Sequence, residues 1–181
     1  MTTQILEIPG YVVGTWMIDT VHSDVSFVVR HLGVSKVRGR FGSFEGKLVT
    51  AEDPLQSSVV ATIDAASVST GNPQRDDHVR SADFLDVGNH EALTFVSAGV
   101  RVADGAFQLD GELTIRGITR PVTLDVEING FGADYEGRKV VGFSASTEIN
   151  RKDFDVTGGQ AGMILSEKIK IALEIEAVKQ D

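Results

Sequence analysis

The sequence predicts an all-β fold: an extended eight-stranded antiparallel β-barrel with a short helix near one mouth. Three observations lead to this prediction. Apolar residues recur at every second position in about eight segments, which gives each segment one dry and one wet face. Turn residues join these segments as hairpins, and several segments reach about 9 to 11 residues against a usual strand length of about 5 to 6. Long strands favour a closed barrel over the alternative, a β-sandwich, and the charged outer face argues against a membrane barrel.

The first strand shows the alternation clearly. Val25, Phe27 and Val29 share one face with His31 at its end. Residues 35–40 are predicted to turn the chain, with Gly39 allowing a bend or bulge. The predicted strands, in chain order, are 25–31, 44–48, 58–64, 93–102, 107–115, 122–128, 141–149 and 169–177.

The segment 72–86 breaks the alternation and predicts the short helix. Pro73 is typical of a first helical position, and Asp76 lies where the helix dipole favours negative charge. Val79 and Leu85 belong to a narrow apolar stripe at helical spacing. This helix is expected to lie against a barrel mouth.

Glycine and proline mark the connections. The Asp104-Gly105 pair is typical of a type I′ hairpin turn. Residues 116–121 are predicted to turn, residues 129–139 to form a glycine-rich connection, and residues 150–162 to form a loop.

Composition limits the classes of function. The chain has 181 residues, which fits one domain (16–181) after an N-terminal arm (1–15). A net charge of −9 argues against nucleic-acid binding, and the absence of cysteine excludes disulfides, thiolate catalysis and cysteine metal sites. No run approaches the roughly 20 apolar residues of a membrane helix. The N-terminus has no basic residue and no signal-like apolar run, so a cytoplasmic location is expected.

Four motifs in order resemble the YceI family of lipocalin-like, polyisoprenoid-binding proteins. They are WMIDTVHS at 16–23, RHLGVS at 30–35 followed by RGRF at 38–41, RDDHVRSADF at 75–84 and GELTIRGITRPV at 111–122. The similarity covers residue 16 to about residue 177. Two positions depart from the family pattern: NHEA at 89–92 replaces an aromatic-proline pair, and Asp155 stands where a glycine is typical.

The resemblance implies a barrel, often dimeric, whose lumen holds a long isoprenoid or a similar amphiphile, with no enzyme reaction. A hydrophobic small molecule and a second copy of the chain are therefore the expected partners, and no cofactor other than this lipid is expected. The aromatic side chains that could line such a lumen could equally fill a core. The candidate ligand-binding residues are Trp16, Phe27, Val29, His31, Phe41, Phe44, His78, Arg80, Phe84, Phe95, Leu113, Ile115, Phe143 and Phe154.

Histidine spacing gives no support for a metal or catalytic site. No two of the four histidines have the spacing of zinc ligands, so no metal and no catalytic residue is predicted. His22 and Ser23 are adjacent on the chain and point to opposite faces, so Asp19, His22 and Ser23 are expected to hydrogen-bond the turn backbone.

Three hypotheses for function follow. The first is a non-enzymatic protein that binds, stores or transports a long-chain isoprenoid, either a polyprenyl pyrophosphate or an isoprenoid quinone. Its polar head would lie near residues 75–85, where a helix start and basic side chains can meet an anion. The second is a hydrolase or isomerase of an isoprenoid that uses His31, His78 or Arg80. The third is a ligand-free scaffold that binds a partner.

Overall fold

The computed structural model describes residues 7–181, which form one antiparallel sheet of eleven strands and one α-helix. The strands are β1 Gly14–Ile18, β2 Asp24–His31, β3 Ser35–Phe41, β4 Phe44–Thr50, β5 Ser58–Asp64, β6 Val68–Ser69, β7 Ala92–Ala103, β8 Ala106–Ile115, β9 Ile118–Ala133, β10 Lys139–Asn150 and β11 Lys168–Lys179, and α1 spans Pro73–Arg80. Eight strands close into a ring in the order β1, β4, β5, β7, β8, β9, β10, β11, because β1 pairs with both β4 and β11. The predicted eight-stranded antiparallel barrel with a short helix is confirmed.

The remaining three strands extend the sheet at one end of the ring. β1 pairs with residues 177–179 of β11 and β2 pairs with residues 170–174, so β1 and β2 follow one another along the same strand. β3 pairs with β2, and β6 pairs with β3 only at Arg40 and Phe41. We call the end of the barrel that carries β2, β3, β6 and α1 the helix end. The opposite end, which residues 7–13 cover, is the arm end.

The prediction of a turn at 35–40 is wrong, because these residues form β3. His31 pairs with Ser35, so the chain already reverses at residues 32–34. Gly39 lies in the middle of β3 opposite Phe27, and a Cβ atom at this glycine would meet the Phe27 ring at 2.2 Å. The missing side chain breaks the apolar alternation in the sequence, while the ring from the neighbouring strand fills the gap.

Other predicted boundaries differ less. The connection predicted at 129–139 is shorter, because β9 continues to Ala133 and β10 begins at Lys139. The helix predicted at 72–86 ends at Arg80 and is followed by turns. The predicted loop 150–162 contains the 3-10 helix Arg151–Phe154 and most of a second, Gly159–Ile164.

The type I′ turn predicted between β7 and β8 is confirmed. Asp104 and Gly105 have φ angles of +52° and +77°, and Ala103 pairs with Ala106 across them. Both central residues of such a turn need a positive φ, which aspartate and glycine tolerate better than most residues.

Alternating apolar residues build the barrel interior, as the period-two pattern predicts. They form one cluster that includes Val25, Phe41, Leu93, Phe95, Leu109, Leu113, Leu124, Ala145, Ile149, Ile171 and Leu173. Residues between them, such as Glu112 and Ser146, face solvent. In the described chain, no helix has both the length and the apolar character that crossing a bilayer requires.

Candidate ligand-binding cavity

A cavity of about 700 Å³ occupies the barrel interior. Its wall is mostly aliphatic and aromatic, and every strand of the eight-stranded ring except β1 contributes several of its side chains; β1 contributes Ile18. The volume falls within the range of about 300 to 1,000 Å³ that small-molecule pockets occupy. A wall of this chemistry favours an apolar ligand, because burial of apolar surface contributes about 25 cal/mol per Å².

The structure brings most of the candidate residues together on this wall. The wall includes Phe27, Val29, His31, Phe41, Phe44, His78, Phe84, Phe95, Leu113, Ile115, Phe143 and Phe154. They come from both halves of the sequence, and the fold places them in one space because each lies at an inward position of its strand, in α1 or in a loop that closes the helix end. Their contact with a ligand stays a prediction.

Trp16 lies elsewhere. Its side chain is fully buried in a separate cluster with Val141 and Ala177, and it lines a smaller cavity of about 200 Å³. The indole Nε1 donates a hydrogen bond of 2.8 Å to Thr50 Oγ1, and the ring packs edge-on against Phe131. The structure therefore does not support the predicted ligand contact of Trp16, which packs near the arm end instead.

Arg80 also lies outside the cavity wall. Its guanidinium donates hydrogen bonds to the carbonyl oxygens of Ala66 at 2.9 Å and Val68 at 3.0 Å, and it forms an ion pair with Asp77. These bonds fix the segment before β6 against α1. The geometry assigns Arg80 a structural task in place of the predicted ligand contact.

The N-terminal arm contributes to the cavity, which the sequence did not reveal. Ile8 and Tyr11 line its wall at the arm end. The Tyr11 hydroxyl donates to the carbonyl oxygen of Ala51 at 2.5 Å, and its ring packs edge-on against Phe131. The described part of the arm thus covers the barrel rather than extending away from it.

Arg151 is the second feature that the sequence did not reveal. Its side chain lines the cavity and is almost fully buried, with 2% exposed. All five N–H groups of the guanidinium have backbone carbonyl acceptors at 2.7 to 3.3 Å, which belong to Val156, Thr157, Gly162, Leu165 and Ser166. No carboxylate of the described chain lies within 4.0 Å of this guanidinium, so the carbonyl groups are the direct partners of the buried charge, and these bonds close the loop over the helix end.

Polar and basic groups gather where the cavity reaches the outer edge of β3. Ser35 and Lys36 line the cavity from β3, and Thr70, Arg75 and His78 line it from α1 and the segment before it. β2 occupies one edge of β3, and within residues 7–181 no strand pairs with the other edge over residues 35–39. We call the polar boundary between this edge and α1 the mouth.

Hydrogen bonds hold the helix side of the mouth in place. Arg75 donates to both the hydroxyl and the carbonyl oxygen of Thr70 at 2.8 Å. The Thr70 hydroxyl and backbone N–H donate to the Asp76 carboxylate, and the hydroxyl bond is the main cause that lowers the pKa of Asp76. His78 Nε2 lies 2.8 Å from Asp83 Oδ2, and its ring packs edge-on against Phe84.

Of Asp19, His22 and Ser23, only Asp19 hydrogen-bonds the turn backbone as predicted, because His22 bonds the Asp19 side chain and Ser23 bonds the backbone of β11. Asp19 Oδ1 accepts from the Val21 N–H at 2.9 Å, and Ser23 exchanges hydrogen bonds with the backbone N–H and carbonyl of Glu176. His22 Nδ1 lies 2.8 Å from Asp19 Oδ2 and 3.4 Å from Glu176 Oε2. The side-chain ligand atoms of Asp19, His22 and Glu176 all lie within 4.8 Å of one another. The sequence did not indicate this cluster, because Glu176 is far from the other two residues along the chain.

The His22–Asp19 pair is expected to make stability depend on pH. Its hydrogen bond raises the pKa of His22 above the ordinary 6.5 and lowers the pKa of Asp19 below 3.8. The histidine contribution is therefore complete below pH 6.5 and is lost as pH rises through the raised pKa, while the aspartate contribution is lost in acid. His22→Gln should lower the Tm at about pH 5 more than at about pH 8.5. Equal losses at both pH values, or the same pH dependence in an Asp19→Asn background, would contradict this assignment.

Comparison with known proteins places the chain in a family. The model of the YceI-like domain matches residues 16–177. The chain belongs to the YceI-like family. The resemblance found in its motifs is thus confirmed. A YceI-like relative named UPF0312 protein, from Ectopseudomonas mendocina, is 38% identical over 161 residues, which cover 88% of this chain and 83% of the relative.

Solved structures agree with the YceI-like fold. BcnA of Burkholderia cenocepacia superposes with a TM-score of 0.79 and 27% identity, over 88% of this chain and 98% of BcnA. A polyisoprenoid-binding domain from Saccharophagus degradans superposes with a TM-score of 0.70 over 93% of this chain and the whole of that domain. Its identity is 15%, so that likeness concerns the fold.

The two departures from the YceI-like pattern lie away from the cavity wall. Asp155 follows the 3-10 helix Arg151–Phe154 with a φ of +56°, the left-handed conformation that favours glycine and that aspartate tolerates. Asn89 lies in a turn, where its side-chain amide donates to the Asp86 carboxylate at 3.1 and 3.2 Å. Local hydrogen bonding and tolerance of positive φ explain how both substitutions fit the fold.

Proposed function

We propose that this YceI-like protein binds the apolar chain of a polyisoprenoid, or of a comparable amphiphilic lipid, inside the barrel and does not transform it. The observation that carries the proposal is the mostly apolar cavity of about 700 Å³, enclosed by the strand ring. A packed barrel core would leave no such volume, because protein interiors are normally filled. The name of the Saccharophagus degradans domain, which shares this fold, supports the choice of ligand class.

The polar head of the ligand would lie at the mouth. Lys36 and Arg75 supply positive charge there, and His31 and His78 supply hydrogen-bonding groups. The two bonds from Arg75 to Thr70 hold its guanidinium at the wall, which leaves Nη1 available to an anionic oxygen. These groups can donate hydrogen bonds to a pyrophosphate or to a quinone carbonyl, since the oxygens of both ligands accept hydrogen bonds from cations.

The geometry bears on the enzyme and scaffold alternatives. The enzyme hypothesis needs His31, His78 or Arg80 at the ligand. His31 and His78 line the cavity, whereas Arg80 is bonded to the carbonyl oxygens of Ala66 and Val68 outside it, so turnover must be tested directly. The scaffold hypothesis needs a filled lumen, which the cavity volume does not support.

Native mass spectrometry of the purified protein tests the proposal. We expect a mass excess that corresponds to one bound amphiphile and disappears on denaturation, with an isoprenoid identified after organic extraction. Protein that arrives empty is then incubated with farnesyl pyrophosphate and with ubiquinone. Failure to bind any of these lipids would refute the proposal, and turnover of farnesyl pyrophosphate that His78→Ala abolishes would favour the enzyme instead.

A transport role, a homodimer and a cytoplasmic location stay predictions. A lipid-transfer assay between vesicles tests the transport role. Analytical ultracentrifugation tests the homodimer, and cell fractionation tests the location.

A further inference from the structure

Four apolar residues are exposed together at the helix end. Leu32, Val34, Met163 and Ile164 have 60%, 84%, 87% and 42% of their surface exposed. The Leu32 N–H donates to the Ile164 carbonyl at 2.7 Å, so the β2–β3 turn and the end of the second 3-10 helix form one surface. We call these four residues the apolar tip.

Folding does not explain the choice of leucine at position 32. Leu32 has a φ of +55°, a left-handed conformation that costs about 1 to 2 kcal/mol for most residues and less for asparagine or glycine. Its side chain also lies mostly in water, so burial gives little in return. An exposed leucine in a strained turn is consistent with selection for contact with an external apolar surface.

A group of basic residues lies on the outer face of the sheet beside the apolar tip. Within residues 7–181, none of them has a carboxylate oxygen within 4.0 Å, although the chain carries a net charge of −9. We call this group the basic face, and its members are Arg30, Lys36, Arg38, Arg40 and Lys170.

The strand register places two like charges of the basic face directly opposite each other and two more on either side of one residue. Arg30 is directly opposite Lys36, and Val28 lies between Lys170 and Arg38. Such pairs destabilise a sheet, so the arrangement points to an external negative partner. Glu148 faces Lys170 from β10 and forms its ion pair with Lys168 at 3.6 Å, which marks the border of the basic face.

The apolar tip and the basic face border the mouth of the cavity. Ile164 of the apolar tip lines the cavity, and so do Lys36 of the basic face and the adjacent His31 and Ser35. A surface that covers the apolar tip would therefore lie directly next to the route by which a lipid reaches the lumen.

We propose that the helix end docks on an anionic lipid bilayer, with the apolar tip in the headgroup region and the basic face against the lipid charges. Basic residues near such a surface attract it, and apolar side chains add binding energy by burial. A second copy of the chain fits less well. Antiparallel pairing of two β3 edges centred on Arg38 would place Arg38 opposite its copy and Lys36 opposite Arg40. This inference rests on the proposed function, because docking on a bilayer would let the protein exchange its lumen lipid with the membrane.

Flotation with vesicles of phosphatidylcholine, with or without phosphatidylglycerol, tests the docking. The wild-type protein should bind only the vesicles that contain phosphatidylglycerol, and salt should weaken this binding. Arg30→Gln with Arg38→Gln should weaken it about twenty-five-fold, because each basic residue contributes about fivefold. Leu32→Asn with Val34→Thr should weaken it about tenfold or more, since the bilayer no longer buries two apolar side chains.

Matched variants on another face provide the controls. Val60→Thr with Val96→Thr removes two side chains that are 49% and 50% exposed on β5 and β7, and Lys47→Gln with Arg101→Gln removes the same charge from exposed positions of β4 and β7. Both should bind like wild type. Equal losses in the controls, or no binding by wild type, would overturn the proposal. A wild-type dimer that the substitutions at the apolar tip convert to a monomer would also overturn it, since a second copy would then cover the apolar tip.

A variant with a blocked lumen separates this proposal from the proposed function. Ala61→Trp should lose the lumen lipid and still bind the anionic vesicles, because Ala61 lies inside the barrel on β5. Vesicle binding by a protein that never holds a lipid would refute the cargo alone. Lipid binding without vesicle binding would refute the docking alone.

Discussion

Replacing Arg151 with methionine is expected to lower the free energy of unfolding by about 3 to 5 kcal/mol. Methionine fills a similar volume and removes every donor, so five carbonyl oxygens of the loop lose the Arg151 N–H groups, and only the Gly162 oxygen keeps a backbone donor within the described chain, the Leu165 N–H. Each unsatisfied buried group costs about 1 to 3 kcal/mol before the loop relaxes. Loss of the buried charge offsets part of this cost. Equilibrium denaturation in urea, followed by circular dichroism, measures the difference.

Two control variants make this test specific. Lys152→Met removes the neighbouring charge, which is exposed and forms a surface ion pair with Glu167, and should change stability by about 1 kcal/mol or less. Arg151→Lys keeps the charge but offers three donors in place of five, so it should retain only part of the stability. A loss of less than about 1 kcal/mol for Arg151→Met would show that the loop does not depend on the guanidinium.

The sequence predicted the barrel because one face of each long strand is buried. Burial on one face imposes a period of two on β7, β8, β10 and β11, and hairpin turns such as Asp104-Gly105 need residues that tolerate positive φ. The same reasoning missed β3, where Gly39 relies on the Phe27 ring of β2. A contact between strands leaves no periodic signal within either segment.

The candidate site was predictable in its apolar part and not in its polar part. Inward position on a strand follows from the pattern, so Phe27, Phe95 and Phe143 were found. The partner of a long basic side chain does not follow from the pattern. Arg80 and Arg151 both satisfy backbone carbonyls of other segments, and only the fold brings those carbonyls within reach.

Substitution of Ala61 by tryptophan is expected to weaken lumen lipid binding at least a hundredfold, as shown by native mass spectrometry and titration with farnesyl pyrophosphate. Ala61 lines the cavity and lies between Gly46 and Phe95 in the strand register, so an indole at this position must project into the cavity. It would displace about one isoprene unit. The burial of five carbons contributes about 4 kcal/mol, which exceeds the energy of a hundredfold change in affinity.

Val60→Trp is the matched control, because Val60 is the preceding residue of β5 and its side chain is 49% exposed on the outer face. It adds an indole to the same strand without changing the lumen, and its lipid content should equal that of wild type. Both variants must retain the far-ultraviolet circular dichroism of the barrel for the comparison to hold. Lipid content that falls equally in both would point to a ligand on the outer surface, and unchanged content in Ala61→Trp would exclude the lumen as the binding site.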